Sequence, residues 1–236
     1  MENSENKSLI STGGSNLAKT EKLLSITKKI LSEIKLQYES VRIGNQEWMT
    51  RNLDVDRFRN GDLIPHIESD EEWKEAGENG QPAWCYYDND PENGKKYGKL
   101  YNWYAVNDPR GLAPGGYHVP TNEEWIILVE FLGGKDIASY KMKSLEGWND
   151  YFDMDKERKR NGNGDNSTRF NCVPGGLRIY IGGFSHIREH ATYHSSTTAN
   201  LNSHQAGGCA LGYSSTIVGF GDANKSYGSS VRCLKD

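Results

Sequence analysis

The side chains best suited to chemistry crowd into one tract. Of the six histidines, four (His186, His190, His194 and His204) lie there. His190 and His194 are four residues apart, a spacing that on a helix would aim both imidazoles at one metal. The tract around them has no helical period, so that pairing lacks its support. Ser195 follows His194, yet no motif supplies the acid that a Ser/His triad needs. Elsewhere, "DNDPENG" sets Asp88, Asp90 and Glu92 at alternate positions before Gly94. Such spacing can turn oxygens toward calcium, and it equally makes an ordinary turn. Calcium is the one cofactor the sequence leaves open. Gly162 and Gly164 form a GxG without the strand and helix that would cradle a phosphate. Cys85, Cys172, Cys209 and Cys233 are scattered without CxxC spacing, so free thiols packed in the fold are expected, not a disulfide frame or a zinc site.

Charge and hydropathy remove other classes. With 28 basic and 32 acidic residues the net charge is −4, which gives no global field to hold nucleic acid. The one basic run, "KERKR" (Lys156 to Arg160), reads as a solvated loop or an anion site. No stretch reaches the run of about 18 apolar residues that spans a bilayer. The start, "MENSENKSLISTGG", lacks the basic and apolar regions of a signal peptide. A cytoplasmic protein, or a component of a phage particle, is expected, with neither nucleic acid nor membrane as partner.

The elements that must position these residues are legible in part. Residues 1–16 read as a disordered lead. Over 17–36, Leu17, Leu24 and Leu31 recur every seven residues, with Leu23, Ile26, Ile30 and Ile34 between them. That stripe predicts an amphipathic helix which packs on its own domain, docks to another chain or self-associates. "VRIG" and "EWMTRNL" read as strands about an Asn45–Gln46 turn, and residues 97–108 as a short aromatic helix. "PTNEEWIILVEFLGG" predicts a helix with a Thr121–Glu124 capping box, a buried stripe of Trp125, Leu128, Val129 and Leu132, and a stop at Gly133. In the closing "SSVRCLKD", Val231 and Cys233 point inward and Arg232 outward by alternation.

Between residues 41 and 236 the blocks "WMTRNLD", "WCYYDNDPENGKKYGKLYNWYAV", "GYHVPTNEEW", "VPGGLR", "HSST" and "KSYGSSVRCLKD" follow one another. In these the chain resembles the Fibrobacter succinogenes major paralogous domain family, which is similar to the formylglycine-generating-enzyme branch of the C-type lectin-like fold. The resemblance implies an α+β domain: first and last strands paired, two helices beside a small sheet, and a long irregular region forming one face. It implies no catalysis of the formylglycine-generating kind, since Cys209 and Cys233 do not match that branch's cysteine pair. Arg178, Trp125 and the closing strand are expected as scaffold. His194 and Gly207 stand where the family usually has tryptophan, which marks both as exposed and replaceable.

Composition singles out residues 177–224. In the 48 residues from Leu177 to Asn224, only Glu189 and Gln205 are Lys, Glu, Gln, Met or Trp, against 45 of the preceding 176. At the earlier rate about twelve are expected. Randomising the adenines of an AAC codon excludes those same five residue types. The tract therefore resembles the variable region of a diversity-generating retroelement protein. The expected function is a non-enzymatic binding protein whose face recognises varied ligands, proteins before sugars. That face would comprise Ile179, Tyr180, Ile181, Ser185, His186, Arg188, His190, Thr192, His194, Asn200, Asn202, Gly208, Tyr213 and Phe220. Such side chains give contact area and adaptable hydrogen bonding on a fixed scaffold, as antibody loops do. The alternatives are a carbohydrate-binding adhesion module and an oxidase related to formylglycine generation.

Overall fold

A computed structural model describes residues 17–29, 38–198 and 203–236. The chain divides into two compact units, Met1–Glu39 and Ser40–Asp236. In the first, residues 17–29 form a helix (α1), within the expected 17–36. The rest of that expected helix and the lead 1–16 lie outside the described residues.

The second unit is a mixed α+β domain with several helices and sheets. Strands β1 (Ser40–Ile43) and β2 (Gln46–Met49) form a hairpin. Gly44 turns it at φ +61°, a conformation that a Cβ would strain. The closing strand β13 (Leu234–Lys235) lies between β2 and β5 (Tyr117–His118), giving the order β1-β2-β13-β5. The last strand thus pairs with the second strand of the hairpin, not the first.

More helices form than the two expected. They are α2 (Asp70–Glu78), α3 (Pro91–Tyr97), α4 (Trp103–Val106), α5 (Asn122–Phe131) and α6 (Lys135–Met142). The aromatic helix expected over 97–108 shrinks to α4, because Leu100–Tyr101 is spent on β4, paired with β3 (Trp84–Cys85). Helix α5 carries the expected capping box: the Thr121 hydroxyl accepts from the Glu124 N–H, and the Glu124 carboxylate accepts from the Thr121 N–H. Its stripe is buried as predicted, so local capping and tertiary burial agree on where the helix starts and which way it faces.

The tract expected to be irregular is a sheet. Strands β8 (Gly175–Arg178), β9 (Phe184–Ile187), β10 (His190–Thr198), β11 (Gln205–Gly212) and β12 (Val218–Asn224) assemble in the order β12-β11-β10-β8-β9. Ala191, Tyr193, Cys209, Leu211 and Val218 alternate into the core, against Trp48, Trp125, Leu128 and Phe170. Trp125 lies 4.7 Å from Trp48 and 5.3 Å from Tyr193 between ring centroids. Each such aromatic contributes roughly 2–3 kcal/mol by burial. The opposite side of these strands carries mainly Gly, Ala and Thr, which is why no hydrophobic alternation shows in the sequence.

Arg232 overturns the alternation expected of the closing segment. It is fully buried, as are its neighbours Val231 and Cys233. Its guanidinium donates to Asn52 Oδ1 and to the carbonyls of Met49, Phe170 and Asn171. The segment is covered on both sides, so a period-two pattern has no solvent face to report. The "KERKR" run also differs from a simple loop. Arg158–Asn161 form β7, paired with β6 (Asp150–Asp153).

Candidate functional site

The hairpin β8–β9 and strand β10 present most of the expected binding residues. Arg178 ends β8 with its guanidinium inaccessible to solvent. It donates to the carbonyls of Ile67 (2.6 Å), Glu68 (2.8 Å) and Gly182 (3.2 Å), and pairs with Asp70 at 2.9 Å. The same group lies over the rings of Trp73 and Phe184. A planar five-donor group can hold the start of α2 and the hairpin tip at once. The tip, Ile179 to Gly183, is closed by two backbone hydrogen bonds, Ile179 N–H to Gly183 and Gly182 N–H to Ile179.

On that anchored tip Tyr180 and Ile181 stand out, 46% and 50% exposed, beside half-buried Ile179. Tyr180 stacks on Tyr227 at 6.0 Å. A cavity of about 210 Å³ opens beside it, lined by Tyr104, Tyr180, His204, Asn224 and the Lys74–Glu78 end of α2. Tyr104, His204 and Tyr227 are members that sequence reasoning missed. Tyr104 and Tyr227 sit in blocks shared with the family and read as scaffold, and nothing local in the sequence brings them beside Tyr180.

A second patch forms at the other end of β9. Ser185 Oγ is 2.6 Å from His186 Nδ1, and the rings of His186 and His190 stack at 4.5 Å. Burial, then the neighbouring His186, holds His190 below the usual imidazole range. Arg188 is exposed, and the Thr192 hydroxyl donates to the Gly176 carbonyl. Ile179, Tyr180 and Ile181 thus make one patch, and Ser185, His186, Arg188, His190 and Thr192 another.

Four expected members do not belong. His194 is buried; its Nε2 lies within hydrogen-bonding distance of the carbonyls of Tyr101 and Tyr227, and burial pushes its pKa down to about 4. It holds the sheet to its neighbours as a neutral ring. Phe220 pairs with Cys209 across β11–β12. Opposed residues share a sheet face, so Phe220 lies on the side of Cys209, on the edge strand β12, where it is 39% exposed. Tyr213 packs edge-to-face on Tyr151 at 6.1 Å and turns toward a different cavity. Gly208 faces the open side, yet a Cβ there would sit 2.4 Å from the Tyr193 carbonyl oxygen. Gly207, expected to be exposed, is buried against Asn122. Asn200 and Asn202 lie outside the described residues.

The "HSST" block also proves structural. The Ser195 carbonyl accepts from the Trp103 indole, Ser196 N–H donates to the Pro120 carbonyl, and Thr197 Oγ1 accepts from Asn122 N–H at the start of α5. These bonds fall where the β10–β11 register shifts, between His194 and Thr198.

The open side of β11–β12 tolerates change unevenly. A Cβ at Gly221 would meet nothing within 4 Å, whereas one at Gly208 would meet backbone. Replacing Gly221 with Tyr is expected to shift stability by no more than about 0.5 kcal/mol. Gly208→Tyr should cost about 2 kcal/mol or more through forced backbone movement. Urea melts of the two variants check this. Equal costs would mean that the sheet does not discriminate these positions.

Two of the three expected calcium ligands, Asp90 and Glu92, are engaged locally. The Asp90 carboxylate caps α3 by accepting from Glu92 N–H, and Glu92 pairs with Lys95. Among the described residues no group of three or more His, Cys, Asp or Glu side chains could hold a metal. The four cysteines are free and buried. Burial pushes the thiols of Cys85 and Cys233 up to about 12 and Cys172 to about 11, far from thiolate reactivity at neutral pH. Among the described residues, no helix is long and apolar enough to cross a membrane.

A family model described as the Fibrobacter succinogenes major domain matches residues 41–235. No curated protein matches the chain, and no solved structure does.

Proposed function

The chain belongs to the Fibrobacter succinogenes major domain family, and from that premise we propose that it is a non-enzymatic binding protein with a C-type lectin-like domain. Its β8–β10 surface is a diversified face for varied ligands, chiefly proteins, of the kind that diversity-generating retroelements rewrite. One observation carries this reading. Exposed Tyr180 and Ile181 project from a hairpin tip that fully buried Arg178 ties to Ile67, Glu68 and Asp70. Aromatic and aliphatic anchors on a preorganised support are what a protein interface uses, since ordering costs are met before binding. The compositional bias of 177–224 adds to it. The four thiols are buried, and burial pushes each of them up, which weighs against an oxidase.

Sugar binding has one feature in its favour: the cavity beside Tyr180 combines tyrosine rings with His204 and Asn224. Its small size, about 210 Å³, suits one ring and not an extended glycan. The N-terminal helix would couple the face to a partner chain, or to a second copy, in a cytoplasmic or phage assembly.

Sequencing this locus from many independent isolates tests the proposal. Differences should concentrate at Tyr180, Ile181, His186, Arg188 and His190, track adenines in a nearby template copy, and spare Arg178, His194 and Gly208. Differences spread evenly over the domain, with no template copy, would sink it.

A further inference from the structure

The cavity that takes Tyr213 is built differently from the face above. About 330 Å³ in volume, it lies between the β6–β7 hairpin, Lys143 after α6, and residues 213–216. Four cations line it (Lys143, Arg158, Lys159 and Arg160) and no carboxylate does. Lys159 and Arg160 pair with Asp150 and Asp153, at 2.8 and 3.1 Å, which lie outside the lining. Lys143 and Arg158 have no carboxylate partner among the described residues.

Lys143 is the telling group. It is 4% exposed, and its ammonium donates to the carbonyls of Gly212 and Ser215 near the Trp148 ring. Taking a cation out of water with only neutral partners is unfavourable. Arg158, a second cation without a carboxylate partner among the described residues, lines the same cavity from β7 and adds to the local positive potential. The two charges converge on a concave space, so an anion there would offset both at once. Burial holds Lys143 down at about 8, in keeping with a charge that lacks its counterpart. Tyr151 and Tyr213 meet edge-to-face at 6.1 Å on the same wall, beside Tyr140, and supply ring surface that inorganic phosphate alone would not use.

We propose that this cavity is a binding site for a small phosphate or sulfate ester, its anion held between Lys143 and Arg158 and its organic ring against Tyr151 and Tyr213. The site is independent of the protein-binding reading of β8–β10, and either can fail without the other. The notion of a merely solvated "KERKR" run does not account for it, since the run closes one wall of a cavity whose deepest cation lies on another element.

Calorimetric titration of the full chain at physiological ionic strength tests the proposal, with phenyl phosphate, phenyl sulfate, inorganic phosphate and phenol as probes. One of the two esters should bind at least tenfold tighter than inorganic phosphate, and phenol should give no saturable heat. Which ester wins assigns the anion. Arg158→Gln is exposed and should keep its melting temperature while weakening the ester at least fivefold. Lys143→Met should abolish binding, and Tyr151→Leu should bring the ester down to the level of inorganic phosphate. No binding of either ester, binding equal to inorganic phosphate, or unchanged affinity in Arg158→Gln would each overturn the proposal.

Discussion

Replacing Arg232 with methionine is expected to destabilise the domain by about 4 kcal/mol and to lower Tm by roughly 8–16 °C. The side chain is inaccessible to solvent and has no carboxylate partner among the described residues. Its role is to satisfy oxygens. It donates to Asn52 Oδ1 and to three backbone carbonyls, Met49, Phe170 and Asn171, contributed by separate parts of the chain. The guanidinium lies over the Phe170 ring at 4.4 Å, where a cation is favourable when water is excluded. Methionine keeps much of the volume and removes every donor. Each stranded oxygen then costs about 1–3 kcal/mol, less whatever relaxation recovers. Urea unfolding followed by tryptophan fluorescence reads the loss. A cost under 1 kcal/mol would mean that water takes over the donor role. Lys74→Ala is the control, since its i,i+4 ion pair with Glu78 is exposed and such pairs contribute little.

Arg178→Ala is expected to be nearly as costly, about 3 kcal/mol, with a second consequence that Arg232 does not share. Removing the fork frees the hairpin tip from α2. Amide protection at Ile179 and Gly182, whose N–H groups close the tip, should fall further than global stability does. Binding by Tyr180 and Ile181 should fall with it, because the loop would have to be ordered on contact. Arg178→Lys should recover only part of either effect, since one ammonium cannot reach Ile67, Glu68, Asp70 and Gly182 together. Hydrogen exchange on the two variants separates the outcomes. Tip protection that merely follows the global value would show that Arg178 stabilises the fold without organising the face.

The candidate site was half legible, for reasons that particular residues show. Tyr180, Ile181, His186 and Arg188 are exposed, as expected of positions that lie between the points kept from the family pattern. Phe220 was misplaced because strand pairing decides which way it points, His194 because Tyr101 and Tyr227 cover it, and Gly208 because the Tyr193 carbonyl leaves no room for a side chain; none of these partners is near in sequence, and the strands themselves were invisible. A strand announces itself by alternation of apolar and polar side chains. In β10 and β11 the positions between Ala191, Tyr193, Cys209 and Leu211 are mostly threonine, alanine and glycine, so the alternation has almost no contrast.

Features that a few neighbouring residues can enforce were readable from the chain alone. It determined α5, through the Thr121–Glu124 box and the Trp125–Leu132 stripe. It determined that β1 and β2 form a hairpin, although the turn falls at Gly44–Asn45 and not at the expected Asn45–Gln46, since Gln46 already pairs with Ile43, and it determined that the cysteines are packed as free thiols. The folded structure set what depends on distant segments meeting. It buried Arg232 because Asn52, Met49 and Phe170 arrive around it with oxygens to satisfy. It made a sheet of the glycine-rich tract because the aromatic core covers one side. It placed Tyr104 and Tyr227 beside Tyr180, and Lys143 opposite Arg158. Local sequence sets backbone preference and capping, both of which act over a few residues. Desolvation and hydrogen-bond satisfaction act through space, and no spacing along the chain reports them.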